Sequence, residues 1–389
     1  MAAHPDPGGE ARNLHLLAHT DLDGHGDCMH VEVHEGFAYV GHMGGDRVGT
    51  SVLDVSDPRA PRLVTQILTP PGTHSHKVQV LGDLLLVNHE RNPSEPDAHE
   101  WSAGLACYDI SRPWRPEQIG FLPMPGAGVH RMTYDVPPYA YMSGSDAGFE
   151  FQFLVVADLS DPAAPAEAGR WWLPGMRSGE QRDWPDGHRY KLHHAIVRGD
   201  RAYASWWDAG LVILDVTDPR APALVSRLDF GHQVSRATHT TLPLPGRDLL
   251  IVTDEALSRT GTDAVPKDVR IVDISDERHP RVVGLFPVPA GDYAGRGGRF
   301  GPHNLHEMRA GSFQSARIVH LTYFSGGLRV YDVSDASHPA EVASYVPAPP
   351  PGRPTIQLND LTVTPDGLIY VTDRTGGGLY ILEPEIELR

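Results

Sequence analysis

The sequence is poor in cysteine, in basic residues and in long apolar runs. Its 389 residues include only two cysteines, Cys28 and Cys107, which excludes a disulfide framework and suits a reduced, cytoplasmic setting. Lys and Arg number 33 against 50 Asp and Glu, and the formal net charge of -17 argues against a nucleic-acid partner, because such partners select a basic surface. No apolar run is long enough for a membrane span, and the N-terminus lacks the apolar stretch of a signal peptide, so we expect neither.

Glycine, proline and histidine are abundant instead. The 40 Gly and 35 Pro residues predict a chain with many turns. The 22 His residues are more than a chain of this length usually contains. The 40% of hydrophobic residues suffices for a packed core.

One motif recurs along the whole chain with a period of about 55 residues. It reads VLDVSDPRAP at 52–61, CYDISRPWRP at 107–116, VADLSDPAAP at 156–165, ILDVTDPRAP at 213–222, IVDISDERHP at 271–280 and VYDVSDASHP at 330–339, with a truncated copy, YILEPE, from 380. The acid and the proline suit a reverse turn, in which the carboxylate caps local amides. We therefore interpret the repeated aspartates as structural.

Each repeat contains four short, β-branched segments separated by Gly, Pro or Asp, which are typical of strands and turns. Seven units of four strands predict an all-β, seven-bladed β-propeller. The seventh unit stops after its third strand, and residues 13–22 resemble an orphan fourth strand that closes the ring. We thus predict a disordered tail over residues 1–12 and a single propeller domain over residues 13–389.

The motif resembles that of the LVIVD-repeat family, here LVILDVTDP at 211–219. The resemblance covers essentially the whole chain and implies propeller architecture. It says little about function, because the motif marks an outward turn.

Histidines recur at the start of the first, innermost strand of the units. Six of seven units carry a His there and the seventh carries Asp360; the six are His30, His76, His130, His193, His239 and His306. Innermost strands line the channel of a propeller, so we expect a ring of imidazoles on the axis. Neutral imidazole is a ligand for transition metals, and the sequence predicts a metal site with Fe or Cu first, then Mn or Zn.

Further candidates lie near this predicted ring. Carboxylates at the ends of the second strands and polar groups beside the ring could serve as acid and base; we select Glu90, Asp254, Asp360 and His303. Insertions at 92–104, 175–188, 258–268 and 289–303 fall at the same end of the units and are expected to bind substrate. The candidate substrate contacts are His74, His194, Trp184, Tyr293 and Arg296.

The leading hypothesis is a metal-dependent oxidoreductase, an oxidase or oxygenase, acting on a small organic molecule. Its layout is similar to the carotenoid-cleavage oxygenases, where four inner-strand histidines bind iron, and to the selenium-binding proteins that act as methanethiol oxidases. A metal-assisted hydrolase or lyase is an alternative, and so is a non-enzymatic propeller that docks other proteins. The oligomeric state cannot be inferred, since propellers work as monomers and as dimers.

Overall fold

Seven antiparallel sheets, six of four strands and one of five, form blades around a central channel in the computed structural model, which describes residues 8–231 and 233–387. The prediction of an all-β, seven-bladed propeller is confirmed. The strands of the first three blades are Cys28–His34, Phe37–His42, Val48–Asp54 and Arg62–Leu68 in blade 1; Val78–Leu81, Leu84–Arg91, Gly104–Asp109 and Glu117–Pro123 in blade 2; and Arg131–Val136, Tyr139–Gly144, Phe153–Asp158 and Ala166–Trp171 in blade 3.

Blades 4 and 5 repeat this order. Their strands are His194–Arg198, Arg201–Ser205, Leu211–Asp215 and Ala223–Leu228 in blade 4, and Thr238–Pro243, Leu249–Asp254, Val269–Asp273 and Arg281–Leu285 in blade 5. The described residues also form a short strand Thr73–His74 beside blade 2, a parallel pair Thr260–Gly261 and Gly298–Arg299, and two single 3-10 turns, Gly45–Arg47 and Ala294–Arg296.

Blade 6 has an irregular inner edge. Its regular strands are Ile318–Thr322, Leu328–Asp332 and Ala340–Val346. The innermost segment is not a regular strand; it joins Ile318–Thr322 through an isolated bridge between Leu305 and Leu321 and through single backbone hydrogen bonds, such as His306 N–H to the His320 carbonyl at 3.0 Å.

The ring closes through the N-terminal strand, as expected. Blade 7 consists of Leu358–Val363, Ile369–Asp373 and Gly378–Pro384, and Leu14–Thr20 pairs antiparallel with the last of these strands. The expectation of disorder over residues 1–12 does not hold at its end, because Glu10–Arg12 form a strand that pairs with Ser344–Val346 in blade 6. Residues 1–7 lie outside the described residues. The N-terminal segment thus joins two blades.

The repeated aspartates act as turn caps. In six blades the carboxylate accepts a hydrogen bond from the backbone N–H two residues later, at 2.8–3.0 Å; these residues are Asp54, Asp109, Asp158, Asp215, Asp273 and Asp332. Each turn leads into the outermost strand, far from the channel. The structural interpretation of these residues is confirmed.

The core consists of apolar layers between neighbouring blades. At the seam between blades 7 and 1, Leu17 of the closing strand packs in one cluster with Val31 and Ile381. None of the described helical segments could cross a bilayer.

The closing strand allows a test of the seam. We expect Leu17→Ala to lower the free energy of unfolding by about 2–5 kcal/mol, because it empties a buried leucine site. His15→Ala on the same strand is the control, since its side chain is half exposed and pairs with the exposed Glu383, an interaction worth less than about 1 kcal/mol. Urea unfolding measures both; equal losses would contradict the docked arrangement.

Candidate metal centre

A β-bulge at the start of the innermost strands sets the geometry of the channel. In blade 5, Thr238 pairs with Asp254 and Thr240 with Thr253, which leaves His239 as the extra residue. Blades 1 and 7 skip Met29 and Asn359 in the same way. A bulge of this kind bends the strand and re-aims its side chain.

The same position can be traced through the other blades. In blade 3, His130 N–H donates to the Ser143 carbonyl at 2.8 Å while Arg131 is the residue paired with Ser143. Blades 4 and 6 repeat this arrangement at His193 and His303. We call this place the ring position; its occupants are Met29, His76, His130, His193, His239, His303 and Asn359.

Six imidazoles form a continuous arc around the channel. Neighbouring ring centroids lie 4.6 Å apart for His74 and His76, 4.9 Å for His76 and His130, and 5.1 Å for His130 and His193. The arc continues with 3.7 Å from His193 to His239 and 4.4 Å from His239 to His303. Five members occupy the ring position, and His74 is added from the short strand ahead of His76.

The structure corrects the predicted ring in blades 1 and 7. His30 and Asp360 occupy the place one residue after the ring position, equivalent to Lys77 and Arg131. There His30 Nε2 lies 3.4 Å from an Asp360 oxygen, and Lys77 Nζ lies 3.5 Å from the same oxygen. These two residues therefore belong to a second, buried polar layer and not to the imidazole arc.

His306 is also outside the arc, and His303 takes its place. His306 Nε2 donates to the Phe313 carbonyl at 2.9 Å, and its Nδ1 accepts from the Val363 N–H at 3.2 Å. Both ring nitrogens are committed to the backbone, so neither is left for a metal. His303, predicted as catalytic, lies in the arc as a candidate ligand.

Two carboxylates face the arc from the ends of second strands. Glu90 accepts from His130 Nδ1 at 2.9 Å and lies 3.4 Å from His74 Nε2. Glu255 lies 4.0 Å from His239 Nε2 and 3.8 Å from His303 Nε2. The prediction thus selected one of the two carboxylates that reach the arc.

Asp254, predicted as catalytic, is a structural residue. Its carboxylate is fully buried and accepts two hydrogen bonds from the Arg270 guanidinium, both at 2.9 Å. It also accepts from the Asp268 N–H at 3.1 Å. Because adjacent strand residues point in opposite directions, Glu255 faces the channel and Asp254 does not.

Most of the predicted substrate contacts lie elsewhere. Tyr293 and Arg296 bind the Glu10 carboxylate, at 2.9 and 2.5 Å, and so anchor the N-terminal segment. Trp184 is buried and stacks on Tyr190 at 4.5 Å. His194 joins the second polar layer, with Nε2 2.9 Å from the Thr133 hydroxyl. Only His74 of this set reaches the arc.

A cavity of about 350 Å³ opens above the arc. Sequence reasoning missed Lys191, Trp207 and Arg374 among its lining residues. A repeat signal could have found two of them, because Trp207 and Arg374 occupy the same position at the end of the second strand as Glu90 and Glu255. Two of the four predicted long loops line the cavity, through Pro93 and Arg299, and Leu257, just ahead of a third, lines it as well.

Burial favours the neutral form of five of the six imidazoles. Desolvation, with smaller contributions from neighbouring charged groups, holds the pKa values of four imidazoles well below the usual range; they are His76, His193, His239 and His303. Burial also lowers the pKa of His130, although Glu90 opposes that shift. Burial alone would raise the pKa of Glu90, but the hydrogen bonds and charge interactions with His130 and His74 outweigh burial and hold the pKa of Glu90 low. Neutral imidazoles beside an ionised carboxylate are the state that binds a metal ion.

Backbone carbonyls fix which imidazole nitrogen is free. His193 Nδ1 lies 2.8 Å from the His239 carbonyl, and His303 Nδ1 lies 2.6 Å from the Asn359 carbonyl. A carbonyl only accepts, so each Nδ1 carries the proton and each Nε2 keeps its lone pair. This is the outer-sphere arrangement common among metal-ligating histidines.

Two groups of residues could each hold an ion. They are His74, His76 and Glu90 on one side of the arc, and His239, Glu255 and His303 on the other, and within each group the ligand atoms lie within 4.8 Å of one another. The members of both groups are buried.

The comparison with protein families agrees with the repeat structure. The model of the LVIVD repeat matches residues 25–69, 139–171, 195–229 and 322–346. The chain carries LVIVD repeats. The matches fall in blades 1, 3, 4 and 6. No curated protein matches the sequence.

Solved propellers share the fold at low identity. A chain of the mitotic checkpoint complex is 10% identical with a TM-score of 0.59, and the alignment covers 97% of this chain and 92% of that one. The C-terminal WD40 domain of Sif2 is 10% identical with a TM-score of 0.59 over 95% and 97%. The Pseudomonas aeruginosa periplasmic gluconolactonase PpgL is 11% identical with a TM-score of 0.59 over 88% and 93%. At these identities the likeness concerns the fold alone.

The two adjacent carboxylates in blade 5 should differ in their effect on stability. Asp254→Asn breaks a buried ion pair with Arg270, and we expect a loss of about 3–5 kcal/mol in the free energy of unfolding. Glu255→Gln, beside the cavity, should lower the free energy of unfolding by less than half of that amount. Urea unfolding of both variants checks this; a larger loss for Glu255→Gln would contradict the assignment.

Proposed function

We propose that this LVIVD-repeat propeller is a metal-dependent oxidoreductase whose site is the imidazole arc. The observation that carries the proposal is the pair of two-histidine, one-carboxylate groups beneath one cavity. Such a set holds a divalent metal and leaves coordination positions open for substrate.

The donor chemistry fits a transition metal. Imidazole and carboxylate without thiolate suit Fe, Cu or Mn, and also Zn. His74 Nδ1 is buried and has no hydrogen-bond partner in the described part of the chain. A buried nitrogen without a hydrogen-bond partner lowers the stability of the fold. Binding of a metal ion by His74, with a rotation of its ring, would remove that cost.

The chain's own residues would divide the remaining tasks. A bound iron or copper ion would supply electron transfer between the substrate and dioxygen. Glu90 orients His130 and His74 through its two short contacts, and Arg299 orients Glu255 through a 2.7 Å bond. The carbonyls bonded to His193 and His303 hold those rings in place, so the site is preorganised before any ligand arrives.

A metal-assisted hydrolase is the second candidate. Two histidines and one glutamate also form the usual ligand set of hydrolytic zinc, and one solved propeller with the same fold is a gluconolactonase. The metal itself discriminates, because zinc has no redox chemistry.

Metal analysis tests the proposal. We expect protein produced without a histidine tag and reconstituted with Fe(II) or Cu(II) to retain stoichiometric metal after desalting. His76→Asn and Glu90→Gln should each weaken metal affinity by at least about tenfold, with unchanged circular dichroism. His338→Asn, on an exposed turn, is the control.

The outcomes separate the candidates. Stoichiometric iron or copper with substrate-dependent oxygen uptake supports the oxidoreductase. Tight binding of zinc alone favours the hydrolase. Failure to retain any metal after reconstitution contradicts both and leaves a propeller that binds other proteins.

A further inference from the structure

The cavity above the arc has the opposite charge balance to the rest of the chain. The whole sequence has a formal net charge of -17. The cavity, however, is lined by five cationic side chains and only two carboxylates, Glu90 and Glu255; the cations are Lys77, Arg91, Lys191, Arg299 and Arg374. A local reversal of sign in a concave site favours an anionic ligand.

Three of these cations are already engaged. Lys77 faces the Asp360 carboxylate at 3.5 Å, and Arg299 binds Glu255 at 2.7 Å. Arg91 donates to the Pro96 carbonyl at 2.7 Å and covers the Trp101 ring. The glutamates are engaged as well, Glu90 with His130 and Glu255 with Arg299.

Lys191 and Arg374 remain without a counter-ion. Over residues 8–231 and 233–387, neither has a carboxylate oxygen within 4.0 Å. Arg374 donates one hydrogen bond, to the Asn359 side chain at 3.2 Å. A guanidinium has five N–H donors in a planar fork, so most of its bonding capacity is left for a ligand.

Aromatic rings support both cations without neutralising them. Lys191 Nζ lies 4.5 Å from the centre of the Trp207 ring, and the Arg374 guanidinium lies 6.0 Å from Phe324. Burial lowers the pKa of Lys191 and, together with the neighbouring Arg299, lowers the pKa of Arg374 to about 10. Both shifts reflect desolvation, which the attraction of Glu255 for each cation, and of Glu90 for Lys191, offsets only in part.

We infer that the cavity binds a small organic acid, with its carboxylate held by Arg374 and with Lys191 adding positive potential from another part of the cavity wall. Arg374 offers the forked geometry that matches a carboxylate, and Lys191 adds a point charge. Met29, Met43 and Trp207 supply an apolar wall for the rest of the molecule. A volume of about 350 Å³ limits the ligand to a small molecule. The inference rests on the proposed function, since it names the substrate class of that site.

Calorimetric titration of metal-free protein at fixed ionic strength tests this. The probes are phenylacetate and its neutral isostere phenylacetamide, which differ in charge but hardly in shape. We expect phenylacetate to bind at least about tenfold more tightly than the amide. Arg374→Gln should remove most of that preference, and Lys191→Gln should reduce it. Arg62→Gln is the matched control, since it removes an exposed arginine that pairs with Asp54 in blade 1.

Equal binding of the acid and the amide overturns the inference, as does the absence of phenylacetate binding at the highest soluble concentration. Retention of the preference in the Arg374→Gln, Lys191→Gln double variant overturns it too. Metal content, measured on the same samples, tests the proposed function separately. Absence of metal binding with an intact preference for the acid would refute the metalloenzyme and leave the acid site. Metal binding without a preference for the acid would refute the acid site and leave the metalloenzyme.

Discussion

The bulge that opens the innermost strands is the constraint on which the channel depends. It adds one residue before regular pairing begins, so the ring position points at the axis while the next residue enters the layer beneath. The bulge is present in blades 1, 5 and 7, and the equivalent ring position of blades 2 to 6 brings five imidazoles into contact around the axis. Rigid strands hold them, and the ring cannot open because the N-terminal strand completes blade 7.

Charge is distributed by depth along the channel. In the arc, burial and the neighbouring rings disfavour imidazolium at residues such as His193 and His239. The layer beneath is ionic but internally paired, with Lys77 on Asp360 and Arg131 on Glu307. The cavity above has unpaired cations on its wall. The imidazole lone pairs of the arc are suited to bind a metal cation. The cationic wall of the cavity above the arc is suited to bind an anion.

The fold could be predicted from the sequence because six turn aspartates, spaced about 55 residues apart, mark the blades. The missing fourth strand of the last unit predicted that the N-terminal strand closes the ring. Sequence reasoning reached most of the arc for the same reason. It failed at His30 and Asp360 because the ring position and the next residue are adjacent in the sequence, and the register appears only in the strand pairing. It failed at His306 because the inner segment of blade 6 is not a regular strand, and the ring position there is three residues earlier, at His303. In blade 5 the register was uncertain by one residue in the same way, so Asp254 was predicted as catalytic instead of the neighbouring Glu255. The unpaired Lys191 carries no repeat signal at all.

Anomalous diffraction from crystals of the metal-reconstituted protein tests the central claim most directly. The account predicts a peak within about 2.0–2.2 Å of an imidazole nitrogen in at least one of the two groups, His74, His76 and Glu90 or His239, Glu255 and His303. A peak confined to the surface, or at His30 or His306, would contradict it.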